Sequence, residues 1–274
     1  MLERILITVK TYPHPSERYQ ELVCTAGMRA DGTFVRLYPV DFRYLPIEKW
    51  YKKYQWIDVE LYKNSKDPRP ESYRPITDTI TLIGEPLTTA NNWAERKKIV
   101  LAQPRPTMCE LQELNKQDLT SLGIIKPYLV KGIKIEQVTS EWDTKHYNAL
   151  VQLNLFDQEK KPLKKIPFRF SYQFKCSKGC AGHEMSITDW ELGVLYFNEE
   201  KRLGSPSDAA ESVKRKYLED LCSSEKDTYF YVGTTYKVYN SWIVLGVFYP
   251  KKEQTSVQNR NVSSKMRRLV SFIN

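Results

Sequence analysis

The sequence predicts an α+β fold, with a small N-terminal β-barrel-like module, a helical middle and a C-terminal antiparallel sheet with two helices. Three observations lead to this expectation. Short segments of β-type alternation crowd the N-terminal third. Polar segments with helix-capping residues follow them. The second half then holds two aromatic-rich segments of β-type alternation, separated by helix start signals.

The N-terminal module is expected to span residues 1–88. Its strands are predicted where apolar and polar side chains alternate, at residues 4–10, 22–28, 33–39 and 56–62. Asp31-Gly32 lies between the second and third segments, where the glycine supplies the positive φ that a tight hairpin turn needs. Several short strands with one wet face indicate a small barrel or a curled sheet.

The middle part is expected to span residues 89–156 and to be mainly helical. Asn91 or Asn92 is a suitable cap for a first helix, and prolines close that segment. Residues 108–123 are predicted to form a second helix that ends on glycine.

The C-terminal part is expected to span residues 157–274, although the whole chain is also compatible with one integrated domain. Residues 167–175 alternate aromatic and polar side chains and form the strongest predicted strand. Thr188 and Ser207 are predicted to cap two helices. The aromatic segment 228–250 is predicted to close the fold as a hairpin.

Charge favours a polyanionic partner. The chain carries 42 Lys and Arg against 33 Asp and Glu, a formal net charge of +9. Nucleic acid is therefore the first candidate, DNA before RNA. A membrane partner is not expected, since no apolar run approaches the roughly 20 residues that span a bilayer. An odd number of cysteines, 5, and an N-terminus unlike a signal peptide predict a cytoplasmic protein.

A metal site is predicted from Cys176-x3-Cys180-x2-His183. Thiolates and an imidazole at this spacing can converge on one zinc ion, and the neighbouring glycines let the backbone wrap around it. The fourth ligand would be Cys24, Cys222, a distant histidine or water. Two alternatives stay open: small buried cysteines with a backbone-bonded histidine, or a reactive thiol.

A nucleic-acid-binding surface is predicted in the N-terminal third, where basic residues and aromatic rings are interleaved with prolines. Phosphate contacts are assigned to Lys10, Arg36, Arg43, Arg69 and Arg74. Base stacking is assigned to Tyr12, Tyr38 and Phe42. The alternative is that the rings belong to the core and the arginines are solvated.

Three carboxylates are candidates for chemistry. Asp67 and Glu71 lie on a proline-stiffened loop, and Asp189 follows the predicted metal loop. If the protein is an enzyme, a hydrolase fits best, with a DNA glycosylase favoured slightly over a nuclease, because no carboxylates cluster in sequence for Mg²⁺. The alternatives are a non-catalytic nucleic-acid-binding subunit of a larger complex and a protein-interaction module. Sequence motifs of phosphate loops, nucleophile elbows and H-E-x-x-H zinc enzymes are absent.

The motifs KTYPHPS, VCTAGM, FVRLYPVDFR, DPRPESYRP, GHEMSITDWE and VGTTYKVYNSWIVLGVFYP together resemble a family of uncharacterised prokaryotic proteins. The resemblance covers nearly the whole chain. It implies a setting in anti-phage (antiviral) defence, with partner proteins in a defence complex. It carries over no catalytic residue.

Overall fold

The computed structural model of the protein describes residues 1–16, 20–63, 65–143, 163–235 and 238–253. The predicted architecture is confirmed. A closed N-terminal barrel is followed by two helices and then by antiparallel sheets with two further helices. The division at residues 88 and 156 stays a prediction, and the second boundary falls outside the described residues.

Five strands close the barrel in the order β1–β4–β5–β7–β6. Neighbouring strands are antiparallel except β5 and β7, which pair in parallel. A short hairpin of β2 and β3 follows β1 in the chain. The strands are β1 Leu2–Lys10, β2 His14–Ser16, β3 Gln20–Leu22, β4 Thr25–Met28, β5 Phe34–Leu37, β6 Trp56–Lys63 and β7 Ser72–Ile83.

The predicted Asp-Gly hairpin joins β4 to β5. Gly32 has φ +83°, and the Asp31 carboxylate accepts a hydrogen bond from the backbone N–H of Thr33 at 2.9 Å. The barrel core is built from apolar side chains with no measurable exposure, which are Ile5, Ile7, Val35, Leu37, Ile57 and Val59.

Strand β1 is buried on both faces, which the alternation argument did not foresee. Residues 5–9 are all buried, because Leu6 and Val9 pack outward against the C-terminal sheet while Ile5 and Ile7 face the barrel core. A strand covered on both sides is expected to be a continuous apolar run. The barrel and the C-terminal half therefore share a packed contact.

Two helices follow the barrel, α1 (Ala90–Val100) and α2 (Met108–Asp118). Helix α2 ends earlier than the predicted Gly123, because Leu119 adopts a left-handed conformation at its C-terminus. Gly123 instead lies in a fully buried strand that pairs with the C-terminal sheet. Burial in a sheet outweighed the glycine stop signal here.

The C-terminal half contains two three-stranded antiparallel sheets, in the orders β11–β10–β9 and β13–β12–β8. The Tyr172 and Phe230 rings stack at 4.4 Å between centroids and join the two sheets. The elements are β8 Leu122–Ile125, β9 Leu129–Gln137, β10 Phe168–Lys175, β11 His183–Ser186, α3 Trp190–Leu203, α4 Pro206–Arg215, β12 Tyr229–Thr235 and β13 Val238–Phe248.

Each of the predicted helix caps is displaced. Asn91 and Asn92, predicted to cap the first helix, follow its N-cap residue Thr89 and have left-handed backbone angles. Asp189, not Thr188, caps α3 by accepting a hydrogen bond from the Glu191 N–H. Ser205, not Ser207, caps α4, and Pro206 occupies the first helical position, which suits its fixed φ. Within the described ranges, no helix is long and apolar enough to cross a membrane.

Candidate metal centre and nucleic-acid interface

Helix α2 presents a cysteine at its N-terminus. Thr107 and Glu110 form a reciprocal capping box, which fixes where the helix begins. Cys109 is the second residue of the helix and is exposed to solvent. Its sulfur lies 3.5 Å from that of Cys176 in the β10–β11 loop. The cap therefore sets the position of this thiol.

The β10–β11 hairpin presents the other ligands. Cys176 and Cys180 are buried in its loop, where the Cys180 N–H donates to the Ser177 carbonyl at 3.3 Å. Gly182 has φ +127°, a backbone conformation that a side chain would strain. It leads the chain directly into His183, the first residue of β11.

The four side chains converge on one point, and we call them the metal-ligand cluster: Cys109, Cys176, Cys180 and His183. Their ligand atoms all lie within 4.8 Å of one another. The Cys109 sulfur is 3.5 Å from that of Cys176 and 3.9 Å from that of Cys180. The His183 Nε2 atom is 3.6, 3.3 and 3.2 Å from the three sulfurs.

These separations fit a tetrahedral metal. Zn–S bonds of about 2.3 Å and Zn–N bonds of about 2.0 Å put tetrahedral sulfurs about 3.8 Å apart and sulfur and nitrogen about 3.5 Å apart. The cluster can therefore hold a metal ion such as zinc. An ion bound there would tie α2 to the β10–β11 hairpin, which are far apart in sequence.

The structure brings together the three ligands predicted from sequence and adds a fourth, Cys109, in place of Cys24 or Cys222. Cys24 lies 3.5 Å from an Arg36 nitrogen, and Cys222 lies 3.7 Å from the Tyr172 hydroxyl. The sequence offered one signal for Cys109, which lies two residues after Thr107, a residue that caps a helix and so fixes where it begins. Only the tertiary fold places that start beside the hairpin.

A second group of chemical interest lies where the barrel meets α3, a contact that we call the seam. The Tyr12 N–H donates to the Thr188 carbonyl at 2.7 Å, so the end of β1 is pinned beside Asp189. Lys53 extends from the barrel, with its Nζ atom 3.6 Å from the Asp189 carboxylate and 3.0 Å from that of Glu191. Asp189 also accepts a bond from the Tyr217 hydroxyl at 3.4 Å.

Burial shifts the ionisation of the seam. Desolvation raises the pKa of Asp189 to about 6, even though Lys53 opposes the shift. Burial alone lowers the pKa of Lys53, but the carboxylates of Asp189 and Glu191 more than offset this and raise it. Titratable groups perturbed by burial and specific partners are typical of functional sites, although structural ion pairs show them too.

Lys10 lies in an aromatic cage at the same seam, formed by Phe42, Tyr51 and Trp190. Its Nζ atom is 4.2 Å from the Phe42 ring centre, 5.1 Å from that of Trp190 and 5.7 Å from that of Tyr51. It donates to the Tyr51 carbonyl at 3.2 Å. Burial, followed by the charge of Lys53, lowers the pKa of Lys10 to about 8.

Of the predicted stacking residues, Phe42 is buried in the Lys10 cage, and Tyr12 is half-buried beside it. Tyr12 donates to the Lys164 carbonyl at 2.9 Å, and its ring centre is 6.4 Å from that of Trp190. Tyr38 is half-buried and precedes a cis proline.

The predicted phosphate-binding arginines are spread over different surroundings. Arg43 bonds to the Glu21 carboxylate at 2.9 Å, and Arg74 is half-buried on β7. Arg36 and Arg69 are each no more than 2% exposed. Arg36 donates to the Ser121 carbonyl at 2.9 Å, so its guanidinium is hydrogen-bonded inside the protein.

The other two predicted catalytic acids also bond to protein groups. Asp67 is buried in a two-point pair with Arg69, the shorter bond being 2.7 Å. Glu71 accepts bonds from the backbone N–H and the hydroxyl of Ser121, both at 2.9 Å. Burial would raise the pKa of Asp67, but its bonds to Arg69 more than offset this and lower it, whereas the pKa of Asp189 is raised.

The chain belongs to the family described as Domain of unknown function (DUF8757), whose model matches residues 104–265. Residues 1–102 match a second model, Domain of unknown function (DUF8758). The predicted membership of an uncharacterised family is thereby confirmed. None of the curated proteins matches the chain.

A solved structure described as "Structure of murine DNA binding protein bound with ds DNA" aligns with 92% of this chain and 97% of that one. The identity is 12% and the TM-score is 0.31. At this TM-score the likeness supports no conclusion about fold or function.

The metal-ligand cluster predicts how cysteine variants differ. Cys176→Ser should lose the bound metal and lower the free energy of unfolding by about 3 kcal/mol, because binding energy at such a site is folding energy. Cys222→Ser removes a thiol outside the cluster and should retain the metal. Metal content and urea denaturation of the purified variants measure both effects. Equal metal content in the two variants would contradict the assignment.

The seam predicts a pH-dependent cost for removing its cation. Lys53→Met leaves the Asp189 carboxylate buried without its ammonium partner, which should cost about 3 kcal/mol of stability at pH 8. The folded-state pKa of Asp189 then rises further above its unfolded value, so protonation restores stability at low pH and the restored part is lost as pH rises.

Urea denaturation at pH 5 and pH 8 tests this expectation, with the smaller loss at pH 5. Lys52→Met, at the exposed neighbouring position, should change stability by less than about 0.5 kcal/mol at both pH values. A loss for Lys53→Met that does not depend on pH would show that Asp189 does not ionise in the folded protein.

Proposed function

We propose that this protein binds nucleic acid, DNA before RNA, through the seam, and that the metal-ligand cluster holds a structural zinc ion. The observation that carries the binding proposal is the meeting of cationic groups and flat rings around Lys10. Lys10, Phe42 and Trp190 come from separate parts of the chain and converge there, and Tyr12 lies beside them. Phe42 is buried, whereas the half-buried rings of Tyr12 and Trp190 next to a cation suit an unpaired base and its phosphate.

Zinc is favoured for the cluster by the ligand set. Three thiols and one imidazole at tetrahedral separations suit zinc better than a hard cation that prefers oxygen. Four protein ligands leave no open position for water or substrate, which is the pattern of a structural site. The metal would then hold α2 and the hairpin in place without taking part in chemistry.

The phosphate contacts are proposed to come first from Lys10, Lys53 and Arg43 at the barrel end of the seam, where Lys53 would exchange its bond to the exposed Glu191 carboxylate for one to a phosphate. Arg36 and Arg69 would have to give up interior hydrogen bonds to reach a phosphate. Arg74 remains a proposed contact on the sequence argument, as does stacking on Tyr38.

A hydrolytic activity of the base-excision type is the second part of the proposal, ahead of a nuclease. It is supported by Asp189, a buried carboxylate whose pKa is raised to about 6 next to Lys53. Such a group can take up or release a proton near neutral pH. Asp67 and Glu71 stay candidates, but their carboxylates are engaged with Arg69 and Ser121.

The motif resemblance adds a proposed setting in phage defence, with partner proteins in a defence complex. A non-catalytic nucleic-acid-binding subunit is the alternative if no activity accompanies binding. In either case the seam would be the contact surface.

Salt dependence tests the binding proposal. Fluorescence anisotropy with a labelled single-stranded oligonucleotide should show affinity falling as salt rises, with a log–log slope of about −2 for three phosphate contacts. Lys10→Gln should weaken binding several-fold. Lys98→Gln removes an equal charge from the exposed face of α1 and should have less effect. Binding that is indifferent to salt, or equal effects of the two substitutions, would contradict this interface.

Base excision is tested on oligonucleotides that carry single modified bases, with abasic sites revealed by alkaline cleavage. Asp189→Asn should slow abasic-site formation by about a hundredfold, because a general acid–base group contributes rate factors of that order. Glu113→Gln, at an exposed position of α2, should match the unmodified protein. An Asp189→Asn variant that is folded and equally active would rule out this role.

A further inference from the structure

The Lys10 amine differs from an ordinary surface lysine in three ways. Aromatic rings surround it, it bonds to a backbone carbonyl, and it is half-buried so that part of it still meets solvent. A strongly hydrated surface ammonium is a poor nucleophile, whereas a lysine desolvated in an apolar pocket beside another cation is activated. Lys10 has both features, since Lys53 supplies the second cation.

The groups that act on Lys10 come from both sides of the seam. Desolvation by burial and the charge of Lys53 favour the neutral amine, while the carboxylates of Glu191 and Asp189 favour the ammonium, as does cation–π attraction to the rings. The balance leaves a pKa of about 8. A lowered pKa increases the fraction of neutral, nucleophilic amine near neutral pH above that of an ordinary lysine.

We propose that Lys10 is a catalytic amine that forms an imine with an aldehyde held in the aromatic cage, and that this aldehyde is the opened deoxyribose of an abasic site in DNA. The choice of an abasic site rests on the proposed function, because base excision leaves this sugar behind. The amine chemistry rests on the cage itself.

The step balances without an oxidant or a reductant. The Nζ lone pair attacks C1′ of the open-chain sugar, and the carbonyl π electrons move to the oxygen, which takes the proton that the nitrogen then releases. The resulting carbinolamine then loses this oxygen as water and becomes a protonated imine. Asp189, whose charge acts on Lys10 across the seam, supplies the proton for water loss, and burial raises its pKa to about 6.

Reductive trapping tests the proposal. The full-length protein is mixed with an oligonucleotide that carries one abasic site, and borohydride is added to convert any imine to a stable secondary amine. Denaturing gels measure the cross-linked product, and peptide mapping locates the modified lysine. Lys10→Arg keeps the positive charge in the cage but cannot form an imine. Lys52→Arg is the matched control, because Lys52 is exposed and directly precedes Lys53 in the sequence.

The cross-link is expected on Lys10, and Lys10→Arg should reduce it at least about tenfold, while Lys52→Arg stays within about twofold. Cross-links spread over several lysines, or unchanged by Lys10→Arg, would overturn the proposal.

Two further arms separate this proposal from the proposed function. Binding of the intact oligonucleotide without trapping of the abasic one would overturn the imine and leave nucleic-acid binding standing. If no oligonucleotide binds, the proposed function fails and with it the abasic substrate. Labelling by glycolaldehyde and cyanoborohydride then decides on the amine alone: modification of Lys10 ahead of Lys52 supports the imine chemistry, and equal modification overturns it.

Discussion

Three thiols and one imidazole that meet within 4.8 Å are the constraint on which the C-terminal half depends. They join the first turn of α2 to the β10–β11 hairpin, and β10 is in turn the central strand of its sheet. Four polar groups at this distance, two of them buried, are costly to assemble unless something compensates for their lost solvation. A metal ion bound tetrahedrally by the four side chains would supply that compensation and make the arrangement specific.

At the seam, too, a buried polar group needs a partner that compensates for its lost solvation, and here the partner is a side-chain ammonium. Asp189 caps α3 and is buried, so it needs the ammonium of Lys53, which reaches it from the barrel. Apolar packing along β1, the Tyr12–Thr188 backbone hydrogen bond and the buried Lys53–Asp189 ion pair thus join the barrel to the C-terminal half. The Lys10 cage is a consequence of this contact, because it takes rings from both halves.

Short sequence patterns were sufficient to predict the features that depend mainly on residues close together in the chain. The Asp31-Gly32 hairpin and the alternation of residues 167–175 could be predicted, and so could three of the four cluster ligands. Long-range contacts decided the rest. Cys109 joins the cluster only because α2 lies beside the hairpin. The guanidiniums of Arg36 and Arg69 are buried because they bond to the distant carbonyls of Ser121 and Thr234. No local sequence pattern predicts these contacts.

If three cysteines and one histidine hold one zinc ion, X-ray absorption at the zinc edge of the purified protein will show its ligands. We expect a four-coordinate ion with three sulfur atoms at about 2.3 Å and one nitrogen atom at about 2.0 Å. A shell dominated by oxygen or nitrogen, or protein that contains no metal when it is purified without chelators, would contradict this expectation.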